Sequence, residues 1–221
     1  MRKEKDLTAE KYKYRLAGDQ SVKAKWANFW DYHKWHVVIT LLVAGFLALM
    51  VAQCANQPKY DYSFLLYINS SVPADFEKSL TQQAAEYGKD LNGDGKVTVE
   101  LMDVSYGPED DPVIVQTMES KLAATLMVGE QMIVITDDTN YAKLIANEGI
   151  FSKIAVANAK DGYAWDWKGS KLQAAVLPDL FPEDMYFSIR QGEGSSAKDK
   201  NNIQTKWQQN YDLLSAIAQA K

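Results

Sequence analysis

Between Val37 and Ala52 the chain reads VVITLLVAGFLALMVA, with Thr40 its one hydroxyl and no charge. A helix needs about 20 mostly apolar residues to cross a hydrocarbon core, with a lower limit near 17. The uncharged His36, Gln53 and Cys54 extend the run to that range. The alternative is a buried core helix, but such a helix normally keeps a charged face. A transmembrane span over residues 35–54 is therefore expected. Trp26, Trp30, Tyr32 and Trp35 crowd its N-terminal flank, where rings with one polar atom suit the headgroup layer.

Charge orients the span. Residues 1–35 hold nine Lys/Arg against five Asp/Glu, residues 36–54 hold none, and residues 55–221 hold fifteen against twenty-four. Basic residues collect on the cytoplasmic side of a span, so the N-terminus is expected in the cytoplasm. A cleaved signal peptide has a far shorter charged region than this one, which favours an anchor. Cys54 raises lipidation, but Gln53 stands where a lipobox resembles Gly or Ala, and a plain membrane-edge cysteine is the favoured alternative. The expected layout is a basic cytoplasmic tail and juxtamembrane segment (1–34), a signal anchor (35–54), a linker (55–59) and an extracytoplasmic α/β domain (60–221). The chain is then a single-pass protein of the cell membrane, with the lipid bilayer as its first partner.

The acidic outer part excludes other functions. It repels polyphosphate and nowhere clusters Lys/Arg beside aromatics, so no nucleic acid is expected as a partner. Cys54 is the only cysteine and His33 and His36 the only histidines. Beyond the span there is thus no imidazole or thiol for a triad, a disulfide framework or a zinc site. No GxxxxGK[ST] or GxGxxG occurs, so nucleotide use has no sequence warrant.

Hydrophobic periodicity along the outer domain alternates strand and helix. Tyr60–Asn69 reads as a strand, and Phe76, Leu80, Ala84 and Tyr87 recur at helical spacing until Gly88. Val97, Val99 and Leu101 alternate as a second strand. Asp111-Pro112 opens a helix through Leu122 and Leu126 to Gly129. Gln131–Thr136 fits a central strand covered on both faces. Asp137-Asp138-Thr139 caps a helix, Met185–Arg190 forms a later strand, and Asn201–Ala220 a final amphipathic helix with Ile203, Trp207, Tyr211 and Leu214 inward. Val156–Ser170 and Gln191–Lys200 read as loops. Short strand–helix alternation implies parallel strands with right-handed crossovers, hence a small three-layer α/β domain with a mainly parallel sheet.

The anchor, YDYSFLLYIN, DLNGDGKVTVEL, QMIVITDD and DMYFSIRQ in this order resemble the membrane-anchored extracytoplasmic domains of Gram-positive, Clostridia-like bacteria. Their alternation is similar to one lobe of an extracellular solute-binding protein. The resemblance covers roughly residues 60–221. A complete solute trap needs two lobes, and about 160 residues supply one. The resemblance implies a solute-binding-like fold.

Two groups of residues are candidates for chemistry. Asp90, Asn92 and Asp94 supply oxygens at positions 1, 3 and 5 of a calcium-loop pattern, with Gly95 at position 6. The Lys96 carbonyl is a further candidate ligand, and Glu100 falls at position 11 where Glu is needed at 12. Calcium is the only cofactor suggested. An Asn-Gly/Asp-Gly turn explains the same letters without metal. Ligands of open α/β sheets sit beyond the carboxyl ends of the strands, which points to Asn69, Ser70, Ser71, Ser105, Tyr106, Asp137 and Asp138. Ser71 and Asp138 suit simple turn or cap roles. Tyr163, Trp165 and Trp167 alternate and suit an aromatic platform, or pin a loop to the core.

These features point to a membrane-tethered, non-catalytic binding or accessory domain. Its partner would be an extracellular solute or another membrane protein. Two alternatives stand beside it: a carboxylate-dependent cell-wall or glycan hydrolase, and a purely structural partner of a membrane protein.

Overall fold

A computed structural model describes residues 22–55, 59–147, 149–176, 183–191 and 200–220. The tail up to Ser21, linker residues 56–58, the Cys54 side chain and residues 192–199 lie outside the described residues. Two compact units divide the chain, Met1–Pro58 and Lys59–Lys221.

In the first unit, Val22–Ala55 forms one helix, α1. Its apolar window, His33–Gln53, has 21 residues and a mean hydropathy of 2.3, and none of it is buried. At about 1.5 Å per residue that window is roughly 31 Å long, the thickness of a hydrocarbon core. It is long and apolar enough to cross a membrane. Trp26, Trp30 and Trp35 stand exposed at its N-terminal side.

The second unit runs β1 (Tyr62–Tyr67), α2 (Ala74–Ala85), β2 (Val99–Asp103), α3 (Pro112–Val128), β3 (Ile133–Thr136), α4 (Asp138–Ile145), β4 (Ala159–Lys160), β5 (Ala164–Asp166), α5 (Lys171–Val176), β6 (Tyr186–Ile189) and α6 (Lys200–Gln219). All six strands join one sheet in the order β2-β1-β3-β6-β5-β4. β1 lies parallel to β2 and β3, with Phe64 beside Leu101 and Ile133. β6 runs antiparallel to β3, and β5 and β4 continue antiparallel.

The sheet is thus mixed, with more antiparallel than parallel pairings, which corrects the expectation of a mainly parallel sheet. Part of the reason lies in residues 156–170, expected as a loop, which form one of the three antiparallel pairs. There, Asp161 and Gly162 at positive φ (53° and 75°) turn the chain back on itself between β4 and β5. A connection this short permits only antiparallel neighbours, since a parallel return needs a crossover of a dozen or more residues.

Strand alternation sorts the core into two clusters. Phe64, Leu66 and Ile68 of β1 and its exit pack with Phe76 and Leu80 of α2, Leu172 of α5, and Leu213, Leu214 and Ile217 of α6. Leu65 and Tyr67 pack with Leu122 of α3 and with Tyr141 and Leu144 of α4. Each such side chain, fully buried, contributes about 1.5–3 kcal/mol. Local signals set the helix ends. The Asp111 carboxylate accepts the Val113 N–H at 2.7 Å, Pro112 occupies the first turn, and Gly129 closes α3 in the left-handed region. The helix α2 stops at Ala85 with Glu86 as its cap, ahead of the expected Gly88, and the glycine serves packing instead: a Cβ there would stand 2.7 Å from Val97 Cγ1 and 2.8 Å from Tyr62 Cε2.

Candidate functional site

The carboxyl ends of the three parallel strands bring Asn69, Ser70, Ser105, Tyr106 and Asp137 to one rim. Asp137 stands between β3 and α4. One of its oxygens accepts the Asn140 N–H at 2.7 Å and caps the helix, and the other accepts the Asn69 N–H at 2.5 Å. Ser105 Oγ accepts the Ile68 N–H at 3.1 Å and donates to the Leu66 carbonyl at 3.4 Å. Ser70 Oγ donates to the Ser71 carbonyl at 3.4 Å. Asp110 accepts the Gly107 N–H at 2.6 Å. The polar groups of this rim therefore hold its loops to one another.

Tyr106 donates its hydroxyl to Glu119 of α3 and lies 3.3 Å from the Tyr67 hydroxyl. Burial, the bond with Tyr106 and the charge of Glu119 together push the Tyr67 phenol well above its usual range. Asp138 points elsewhere and pairs with Lys160, whose ammonium lies 3.8 Å from the Tyr186 ring centre. The bond to Lys160 holds the Asp138 carboxyl below its usual range.

Tyr163, Trp165 and Trp167 do not join this rim. Trp165 and Trp167 are 2% and 0% exposed, so neither offers a ring to a ligand. They project to one side of β5 and its exit, as alternation requires, but that side is the core. Trp165 packs with its ring centre 5.4 Å from that of Phe187, its partner across the strand pair, the two rings tilted by 60°, and the Trp167 indole N–H donates to the Glu183 carbonyl at 2.7 Å. Tyr163 instead borders a separate cleft of about 560 Å³ with Asn147, Ser152, Lys153 and Gln191. The Lys153 ammonium lies 5.9 Å from its ring centre.

In the Asp90 loop the side chains of Asp90, Asn92 and Asp94 all accept from the loop's own backbone. Asp90 accepts the Gly93 and Gly95 N–H groups at 2.6 and 2.8 Å, Asn92 that of Asp94 at 2.9 Å, and Asp94 that of Lys96 at 2.9 Å. Gly93 and Gly95 take positive φ, as the turn requires. Glu100 lies in β2 and accepts the Ser63 hydroxyl at 3.1 Å. Among the described residues no three His, Cys, Asp or Glu side chains gather around one point.

Sequence reasoning passed over Asp61. Its carboxylate accepts the N–H groups of Leu91 (2.8 Å), Asn92 (3.1 Å) and Thr98 (2.7 Å) and the Thr98 hydroxyl (3.2 Å). Burial pushes this carboxyl up, but those hydrogen bonds outweigh it and hold it below the usual range. An acid just ahead of an apolar strand was the available signal, and its partners lie about 30 residues away. Comparison with family models, curated proteins and solved structures yields no match to this chain.

Proposed function

We propose that this chain is a membrane-tethered extracytoplasmic accessory domain that acts by binding rather than by catalysis. The observation that carries the reading is the fully exposed apolar helix His33–Gln53 preceding a self-contained α/β unit. The basic residues ahead of the span support a location of that unit outside the cytoplasm. The two core clusters, one with α2, α5 and α6 and the other with α3 and α4, suit a three-layer domain similar to one lobe of a solute-binding protein.

Support for binding over hydrolysis comes from the rim. A glycosidase holds two carboxyls across a sugar cleft, one of them protonated. Here the carboxylates of Asp137 and Asp110 are occupied by backbone N–H groups of the rim itself, which supports a structural role for both. Calcium remains a proposal at the Asp90 loop, riding on a turn already closed by its own hydrogen bonds.

Protease added to intact, wall-stripped cells is expected to remove residues 59–221 and to spare an N-terminal tag. Protection of the C-terminal unit would overturn the orientation. Incubation with peptidoglycan and oligosaccharides is expected to give no turnover. Turnover lost on one Asp or Glu substitution would establish the hydrolase instead.

A further inference from the structure

The outward side of α3 carries no charge. Leu122 and Thr125 of this helix are buried, and at 3.6 residues per turn the opposite side presents Val113, Gln116, Thr117, Ser120, Ala124 and Met127. Val113 is 69% and Met127 78% exposed. The two hydroxyls turn inward: Thr117 donates to the Val113 carbonyl at 2.7 Å and Ser120 to the Gln116 carbonyl at 2.8 Å. Apart from the Gln116 amide, small and apolar groups therefore face outward along four turns. A surface helix normally sets charge opposite its core stripe, and a helix apolar all round is one that something covers.

The flanks identify the cover. Glu119 stands on one side of this face and Lys121 on the other, held there by Tyr106 and by the Asp103 carbonyl (2.9 Å). In a parallel pair of α3 helices related by a two-fold axis along them, the Glu119 flank of each copy meets the Lys121 flank of the other. An antiparallel pair would set Glu119 beside Glu119 and Lys121 beside Lys121. Opposed charges fix register and reject the wrong pairing.

We infer that α3 is a self-association surface, packed in parallel on α3 of a second copy of this chain. Ser120 and Ala124 let the two backbones approach, and Val113 and Met127 close the ends. Ala44, Ala48 and Ala52 recur every fourth residue along α1 beside Gly45, next to which the space is open. This is the small-residue spacing at which spanning helices associate in lipid. The inference rests on the tethered reading, because two copies confined to one bilayer meet at a raised effective concentration.

The test uses the full chain in membranes, with Cys54→Ser as background and Val113→Cys, Ser120→Cys or Met127→Cys added singly. Mild oxidation is expected to give a disulfide-linked dimer at all three positions and none with Asp94→Cys. Ala124→Lys added to Ser120→Cys is expected to abolish the dimer. Absence of dimer at all three positions, in chain that stays with carbonate-washed membranes, overturns the inference. So does crosslinking of Ser120→Cys alone among the single variants together with crosslinking of mixed Val113→Cys and Met127→Cys chains, which is the antiparallel result. Release of the chain by carbonate counts against the tether, and the same crosslinks in detergent then decide the pairing separately.

Discussion

Asp137 joins two segments 68 residues apart, bonding the backbone N–H of Asn69 at 2.5 Å while capping α4 through Asn140. Asp137→Ala removes both bonds. It is expected to cost about 1–3 kcal/mol, as for a lost cap with an N–H left unpaired. Asn69→Ala keeps the backbone N–H and is expected to stay within about 0.5 kcal/mol of the parent. Urea denaturation of both variants checks this pair, and equal losses would show that the Asn69 side chain does the holding.

Trp167 and Tyr163 are expected to part in the same way. Trp167→Ala empties a fully buried site and should cost about 3–5 kcal/mol. Tyr163→Ala, at the border of a cleft, should cost far less. If a soluble ligand of the domain is found, loss of its binding in a Trp167→Phe variant of unchanged stability would restore the aromatic platform.

Acid sensitivity should run through Asp61. Its folded carboxyl lies below the usual range, so its contribution is present above the unfolded value of about 3.9 and is lost as pH falls through the lower, folded value. Asp61→Asn is expected to destabilise the domain at pH 7 and to flatten the acid limb of a stability-against-pH curve. An unchanged acid limb would remove Asp61 from that role.

At the Asp90 loop, EDTA is expected to leave the domain folded, because the turn closes on its own N–H groups. Calcium at ten times a dissociation constant of order 10⁻⁴ to 10⁻³ M should add about 1.4 kcal/mol. For a domain of this size that raises Tm by roughly 3–6 °C. Asp90→Ala with Asp94→Ala should abolish the rise. Identical wild-type melts with millimolar calcium and with EDTA would reduce the loop to a turn.

Local chemistry was legible in the letters. Asp111-Pro112 and Gly129 bound α3 as expected, and Asp137 caps α4. The Phe76, Leu80 and Ala84 face of α2 is buried as its spacing indicated. What the letters withheld were choices settled by distant neighbours. Alternation placed Trp165 and Trp167 on one side of their strand, but only the pairing of Trp165 with Phe187 decides that this side is the core. Val97 alternates like a strand residue, yet β2 begins at Val99, because the Thr98 N–H goes to Asp61. Strand direction was hidden for the same reason. A run such as Tyr186–Ile189, buried throughout, reads identically in a parallel and an antiparallel sheet.

The position of β1 sets how the domain would bear a mechanical load. The second unit begins at Lys59, only two residues separate it from the start of β1 at Tyr62, and β1 lies between two parallel strands. A pull on the N-terminus along that strand strains both ladders in shear, many bonds at once, instead of peeling an edge bond by bond. Before the ladders are reached it must also break the grip of Thr98 and Asn92 on the Lys59 carbonyl, at 3.2 and 2.8 Å, and that of Asp61 on the Asp90 loop. A domain pulled from its N-terminal end in this way resists unravelling from that end.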